Sequence, residues 1–277
     1  MIPGDLLARY GPRALILGGS EGIGASFAEA LAAAGFALTL VARRAAPLER
    51  AAAMLRDRHE AIVDVETLDL TTDDIAKHAE ALLDRADPGL LIYNAGATHG
   101  IGLFADQPVE RALALARLNC LGPLAFAHGA MTRMRSRRRG GIILVSSMSG
   151  LAGSGYVATY AAAKAFEITL AEGLNWEAAR DGIDVLCLVA SLTGTPAMAR
   201  SGMRLDGAAG FVPMQPDEVA AGALAALGSK AAHFAAGTDA ADAMRTAPRA
   251  AVIDGASRAA MELWGLEDVP GAGRQQH

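Results

Sequence analysis

Tyr160 and Lys164 stand four residues apart in Tyr-Ala-Ala-Ala-Lys, inside a stretch of helical periodicity running from Ala158 to Ala179. That spacing puts both side chains on one helix face. A free phenol has a pKa near ~10, too high for ready proton exchange at neutral pH, and a neighbouring ammonium favours the phenolate. The pair therefore reads as a proton-transfer couple, with the tyrosine exchanging the proton and the lysine supplying the charge that tunes it. With four tyrosines and three lysines (Lys77, Lys164, Lys230) in the chain, such a match is expected by chance only about 0.04 times. Thirteen residues earlier, Ser147 closes the strand-like run Ile142–Val145 with its Ser146-Ser147 extension. A hydroxyl there can hold a substrate oxygen at the carboxyl edge of an open α/β sheet. The bland alternative is a helix-packing pair and two loop serines.

A second constellation lies near the start. Gly18-Gly19-Ser20-Glu21-Gly22-Ile23-Gly24 leads from an apolar strand directly into a helix. Glycines at 18, 22 and 24 permit a sharp turn and a close backbone approach, and the helix N-terminus offers free N–H groups to a pyrophosphate. Ser20, Glu21 and Ile23 complete this candidate cofactor loop. The spacing alone is weak, and its place after the first strand of a βαβ unit is what raises it above a simple packing turn. At the end of the second strand, where dinucleotide folds read the adenosine ribose, the chain has Arg43-Arg44 rather than an acidic residue. Two guanidinium groups suit a 2′-phosphate, so NADP(H) is expected in preference to NAD(H). A solvated arginine loop is the alternative, and Glu21 stands close to where that phosphate would lie.

These residues need a scaffold. Strand-like runs at Ala14–Leu17, Ala37–Val41, Ile62–Val65, Leu90–Tyr93, Ile142–Val145 and Val185–Val189 alternate with helical patterns at Ile23–Ala34, Leu48–Arg58, Ile75–Asp84, Val109–Met134 and Ala158–Ala179. Such alternation predicts βαβ units, and continuously apolar strands predict a sheet covered on both faces. The expectation is one α/β domain over 1–277, a doubly wound parallel sheet of Rossmann type. Further helical patterns fall at Pro216–Leu227 and Arg249–Leu263, with a short strand at Ala232–Ala235 between them. Residues 190–214, rich in Gly and Pro, read as a long irregular excursion of the kind that forms substrate lids. The last residues, 265–277, read as a frayed tail. Met148, Met198, Met203, Phe211 and Met214 fall in segments expected to flank the site, and flexible thioethers suit an adaptable apolar pocket. His99, Met148, Tyr156 and Met198 are the expected substrate contacts.

Composition narrows the classes. The 277 residues are 52% hydrophobic and 20% charged with a net charge of −5, which excludes a disordered chain and argues against broad nucleic-acid binding. The run Arg133, Arg135, Arg137, Arg138 and Arg139 reads as a solvated helix end rather than a nucleic-acid patch. Cys120 and Cys187 make no disulfide framework and have no metal-ligand spacing, so no metal is expected. Neither a signal peptide nor a membrane span is visible, so a cytoplasmic location is expected.

Taken together, these motifs make the chain resemble the short-chain dehydrogenase/reductase family over about residues 12–250. The resemblance adds further sites. Asp69-Leu70 is similar to the family's adenine-contacting segment, and Tyr93-Asn94-Ala95-Gly96 to its Asn-Asn-Ala-Gly. Asn119 falls where the family has a fourth catalytic residue that orders a water chain to the lysine. Thr195 matches the threonine that contacts the nicotinamide carboxamide, and Thr193 is placed beside it among the cofactor contacts. Departures are Leu17 for the family's Thr, Tyr93 for its first Asn, and Ala190-Ser191 for its Pro-Gly. A weaker resemblance, through Tyr10-Gly11-Pro12-Arg13-Ala14 and Pro248-Arg249, points to the hydroxysteroid and long-chain 3-oxoacyl reductase branch.

The resulting expectation is an NADP(H)-dependent oxidoreductase interconverting an apolar ketone and a secondary alcohol, with Asn119, Ser147, Tyr160 and Lys164 as its catalytic set. The family implies self-association through the helices carrying Asn119 and Tyr160. The alternative is a non-catalytic NADP(H)-binding sensor or assembly protein on the same fold, which would have no need of a proton donor.

Overall fold

The computed structural model describes residues 4–97, 101–204, 206, 210 and 212–266. Its centre is a sheet of seven parallel strands: β1 (Arg13–Leu17), β2 (Ala37–Ala42), β3 (Val63–Thr67), β4 (Leu90–Tyr93), β5 (Gly140–Ser147), β6 (Ile183–Ala190) and β7 (Ala232–Phe234). They lie in the order β3-β2-β1-β4-β5-β6-β7. The order reverses between β1 and β4, where Ala14 pairs with Leu90 and Leu17 with Tyr93. In an open α/β sheet the crevice at that switch point is where ligands bind.

Helices cover both faces, as the uninterrupted apolar strands predict. On one face α1 (Leu6–Tyr10), α2 (Gly22–Ala33), α3 (Ala45–His59) and α9 (Pro216–Ala226) bury Phe27, Leu31, Leu48, Leu55 and Leu224 against Ile16, Leu40, Ile92, Ile143 and Leu188. On the other, α4 (Ile75–Ala86), α6 (Gly122–Ser136), α7 (Ala158–Ala178) and α10 (Asp239–Thr246) bury Leu82, Leu83, Phe126, Met134, Ile168 and Ala241 against Leu15, Leu17, Leu91, Ile142, Leu144 and Val185. Odd and even residues of each strand thus feed two separate cores, the period-two alternation of a pleated strand. The remaining helices are α5 (Val109–Ala116), α8 (Pro196–Arg200) and α11 (Arg249–Trp264). No described helix is long and apolar enough to cross a membrane.

Three expectations about the elements are corrected. The single helix expected over Val109–Met134 is α5 and α6 joined by a π-helical turn, Arg117–Leu121. The excursion over 190–214 contains a helix, α8, and its ends are tied by a bridge between Thr193 and Met214, with Gly194 N donating to Met214 O at 3.0 Å. The helices α1 and α10 were not expected, being too short to show periodicity. The arginine run lies at the surface, with Arg135, Arg138 and Arg139 exposed, and is also tied to neighbouring groups. Arg133 pairs with Asp84, Arg135 with Asp181 and Arg137 with Asp87, while Arg138 and Arg139 donate to the Arg180 and Gly11 carbonyls.

Candidate active site

Helix α7 brings Tyr160 and Lys164 to the carboxyl end of β5. Two hydrogen bonds fix its rotation there: Ser146 Oγ donates to Lys164 O at 2.7 Å, and Lys164 Nζ donates to Val145 O at 2.9 Å. Lys164 Nζ lies 5.8 Å from the centre of the Tyr160 ring, within reach of the attraction between a cation and a π face. Ser147 ends β5, and its Oγ accepts from Ser149 N at 3.2 Å, which holds the 3-10 turn Met148–Leu151.

Asn119 enters from the opposite side, on the π-helical turn. Its Nδ2 donates to Leu115 O at 3.2 Å and to Ala97 O at 3.4 Å, while its Oδ1 is buried with no partner among the described residues. A Cβ added to Gly96 would lie 2.9 Å from Asn119 Oδ1 and 3.1 Å from Lys164 Nζ, so the two side chains flank one point of the chain. Tyr93 explains how the turn is held. A π turn displaces the regular bond pattern, and the buried Tyr93 hydroxyl donates to Leu118 O at 2.7 Å. Gly122 makes room for it, because a Cβ there would stand 1.9 Å from Tyr93 Oη. The departure at position 93 is thus absorbed by a neighbouring glycine.

The glycine loop forms as its spacing predicts. Gly18 adopts φ +82°, and a side chain at Gly24 would run into Gly18 O at 2.0 Å. Asn94 Nδ2 donates to Gly18 O at 3.0 Å, so the end of β4 fastens the loop. The N-terminus of α2, at Gly22, carries no side chain of its own and has Thr195 beside it, 2.9 Å from where a Cβ would stand, and such a glycine-lined helix end fits the pyrophosphate of a dinucleotide. Ser20 and Ile23 are half-buried in this loop. Glu21 ion-pairs with Arg44 at 2.8 Å and with Arg200 of α8 at 3.0 Å. Against the upward push of burial, the bonds and charges of Arg200 and Arg44 hold its carboxyl below the ordinary range. Arg43 is exposed beside it. Asp69 accepts from Thr71 N and Oγ1 at 3.0 and 2.8 Å, and Leu70 is buried. Thr193 is buried at the root of the 190–214 excursion, and Thr195 Oγ1 caps α8 by accepting from Met198 N at 3.2 Å.

A cavity of about 230 Å³ opens beside Tyr160, walled by Ile101, Phe104, Pro108, Val109, Leu115 and Tyr156, with Gln107 and Arg111 also on its lining. Tyr156 holds φ +64° and is buried, its hydroxyl without a partner among the described residues. Of the other expected substrate contacts, Met148 packs towards the core and Met198 sits in α8; neither lines this cavity. His99 and Phe211 lie outside the described residues. Sequence reasoning missed this wall: its 101–108 part has no periodicity to betray it, and the helical pattern from Val109 did not show which face would line a cavity. Glu167 was missed as well. It is buried, and Lys164 Nζ donates to its two oxygens at 2.8 and 3.1 Å. Burial drives its carboxyl up to about 7, against the opposing charge of Lys164.

A phosphate cradle at the switch point and a tyrosine–lysine pair at the next strand end define a dinucleotide-dependent oxidoreductase fold. The short chain dehydrogenase family model matches residues 12–205. The chain is 31% identical over 194 residues to a 7beta-hydroxysteroid dehydrogenase of Collinsella aerofaciens, covering 70% of this chain and 73% of that protein. It is 33% identical over 203 residues to a very-long-chain 3-oxoacyl-CoA reductase of Phaeosphaeria nodorum, covering 70% of this chain but only 60% of that longer protein. Among solved structures, a short-chain dehydrogenase from Sphingobium yanoikuyae in complex with NADPH superposes with a TM-score of 0.75 at 33% identity, covering 84% of this chain and 93% of that one. A 7beta-hydroxysteroid dehydrogenase superposes with a TM-score of 0.82 at 28% identity, covering 92% and 98%. The chain belongs to the short-chain dehydrogenase/reductase family, oxidoreductases that act on alcohols and ketones with a nicotinamide cofactor.

Proposed function

We propose that the protein interconverts a bulky apolar ketone and its secondary alcohol with NADP(H). The observation that carries this reading is the cavity beside Tyr160, whose walls include Ile101, Phe104, Pro108, Val109 and Leu115. A carbonyl entering it meets the one phenol that has a lysine at its shoulder. The names of the relatives, a hydroxysteroid dehydrogenase and an oxoacyl-CoA reductase, support a substrate of that character.

The bound nicotinamide cofactor supplies or accepts the hydride. The chain's own residues do the rest. Gly18, Gly22 and Gly24 let the backbone N–H groups of the loop reach the pyrophosphate, and Asn94 keeps the loop in place. Arg43 and Arg44 take the 2′-phosphate, with Glu21 releasing Arg44 and keeping its pair with Arg200. Asp69, Leu70, Ala95, Gly96, Thr193 and Thr195 line the remainder of the cofactor site. Ser147 Oγ holds the substrate oxygen, Tyr160 Oη gives it the proton in reduction, and Lys164 stabilises the phenolate left behind. Asn119, with its Oδ1 unbonded, is placed to hold a water that returns the proton to the Lys164 side.

Self-association is part of the proposal. Leu113 of α5, Leu121 at the end of the π turn, Leu124 of α6, and Phe166 and Trp176 of α7 are exposed apolar side chains, Trp176 at 82%. An apolar set of that size on three neighbouring helices and the π turn between two of them suits burial against a second copy.

The test is fluorescence titration with NADPH and NADH, followed by a panel of ketones (decalones, steroids, 3-oxoacyl esters, aryl ketones) read at 340 nm. Tight NADPH binding and turnover of a bulky ketone are expected. Tyr160→Phe should abolish turnover and leave NADPH affinity nearly intact. Preference for NADH, or turnover in that variant, would overturn the reading.

A further inference from the structure

Lys164 is fully enclosed by the fold. Among its contacts, Nζ donates to Val145 O at 2.9 Å and to the Glu167 carboxylate at 2.8 and 3.1 Å. An ammonium has three protons. Val145 O takes one, and the two Glu167 oxygens, both within bonding distance, take or share the others, so the ammonium is held chiefly by that carboxylate. Glu167 is itself buried to 1% exposure one turn further along α7.

We propose that Glu167 is a positioning residue for the reaction: its carboxylate keeps Lys164 an ammonium, in a single orientation, inside a wall that would otherwise strip it of its proton. This rests on the oxidoreductase reading given above. The surroundings bear it out in kind. The titratable groups that face Glu167 from other elements are Tyr93 on β4, Cys120 on the π turn and Cys187 on β6. All three are pushed up, first by burial and then by the charge of Glu167, and so stay neutral. On α7 itself, Lys164 and Tyr160 face each other and Glu172 acts on Cys187. The cation opposite Glu167 is therefore Lys164.

Burial alone favours the neutral amine of a lysine. Here the charge of Glu167, then that of Tyr160, outweighs burial and holds the Lys164 ammonium above the ordinary lysine range. The division of labour follows the pH. In acid the solution keeps the lysine charged whether or not the carboxyl is ionised. Towards alkaline pH, where an unpartnered buried ammonium would let its proton go, the carboxylate is present to retain it. A buried ion pair is often replaceable by apolar residues without loss of stability; here the lysine has a second task, so its counter-ion cannot be dispensed with.

The test exploits the scarcity of lysines. With only Lys77, Lys164 and Lys230 in the chain, the full-length protein labelled with 13C-lysine gives three side-chain Cε resonances, assigned through Lys77→Arg and Lys230→Arg. Titrated from pH 6 to 10.5 without cofactor, wild-type Lys164 should remain charged throughout. In Glu167→Gln its midpoint should fall by about 2 pH units or more, and Glu167→Asp should recover part of that fall. In parallel, turnover of Glu167→Gln should acquire a descending alkaline limb that the wild type lacks. A Lys164 resonance that titrates alike in wild type and Glu167→Gln would overturn the proposal. Should Glu167→Gln not fold, the wild-type resonance decides, since a midpoint below the ordinary lysine value refutes it. Absence of turnover by the wild type would count against the oxidoreductase reading alone, because the resonance needs neither substrate nor cofactor.

Discussion

Replacing Tyr93 by phenylalanine removes one oxygen atom and, with it, the bond that holds the π turn. Tyr93 is 1% exposed, and its hydroxyl reaches Leu118 O at 2.7 Å, one residue before Asn119. The ring itself is unchanged, so its packing against Phe126 at 6.0 Å is kept and no large cavity opens. What is lost is a neutral hydrogen bond worth about 1 kcal/mol net, plus the desolvation of a carbonyl left partly buried without its partner, for a sum of about 1–2 kcal/mol. At about 2–4 °C per kcal/mol for a chain of this order of size, Tm should fall by roughly 2–8 °C. Urea unfolding should show the midpoint moving with an unchanged slope, because the surface exposed on unfolding is the same. Turnover should drop several-fold with little change in KM, since Asn119 rides on the loosened turn while the cavity wall keeps its place. A stability change below ~0.3 kcal/mol would refute the reasoning, showing that the turn holds its shape without the tyrosine. A loss above ~4 kcal/mol would refute it too, since one hydroxyl cannot account for that much.

Arg44→Ala should weaken NADPH binding by about 10–100-fold, the worth of a charge-assisted bond, while NADH affinity stays nearly level; equal losses for both cofactors in a fluorescence titration would count against a 2′-phosphate contact. Glu167 holds its proton more tightly folded than unfolded, so between about pH 4.5 and 7 the native state binds the extra proton and stability declines as pH rises through that window. The unfolding free energy from urea titrations should accordingly fall across it by roughly 1–3 kcal/mol more in the wild type than in Glu167→Gln, and parallel curves would contradict this. Phe166→Glu combined with Leu121→Glu should convert the proposed oligomer to a monomer in sedimentation velocity, and an unchanged coefficient would place the contact elsewhere.

The strands were legible because a sheet covered on both faces demands unbroken apolar runs, and all seven lie within two or three residues of their expected ends. Tyr160, Lys164, Ser147 and the glycine loop were legible as chemistry because their spacing within one helix or one turn already brings them together. Asn119 was visible only through family resemblance, since the π turn that positions it adds a residue that a 3.6-residue period cannot register. Glu167 read as one more charge on a helix. Whether an acidic side chain faces water or a buried ammonium depends on the rotation of α7 against β5, which the Val145 and Ser146 contacts set. The cavity wall joins the 101–108 loop and α5 to residues 156–160, about 50 positions further on, a juxtaposition beyond any local pattern.

The strand order has a consequence for how the chain becomes able to bind anything. Strands β1, β2 and β3 are consecutive neighbours and can pair while the rest of the chain is still unfolded. The partner on the other side of β1 is β4, and the bond that fastens the glycine loop, Asn94 to Gly18, spans 76 residues. Contacts of that separation form late, because the loop between them must close first. A nascent chain that has reached only β3 therefore carries every glycine of the phosphate loop without a finished cradle. A nucleotide added during refolding meets its site only after the two half-sheets have docked. It can then slow the reverse step, acting as a latch on the assembled fold rather than a template for it.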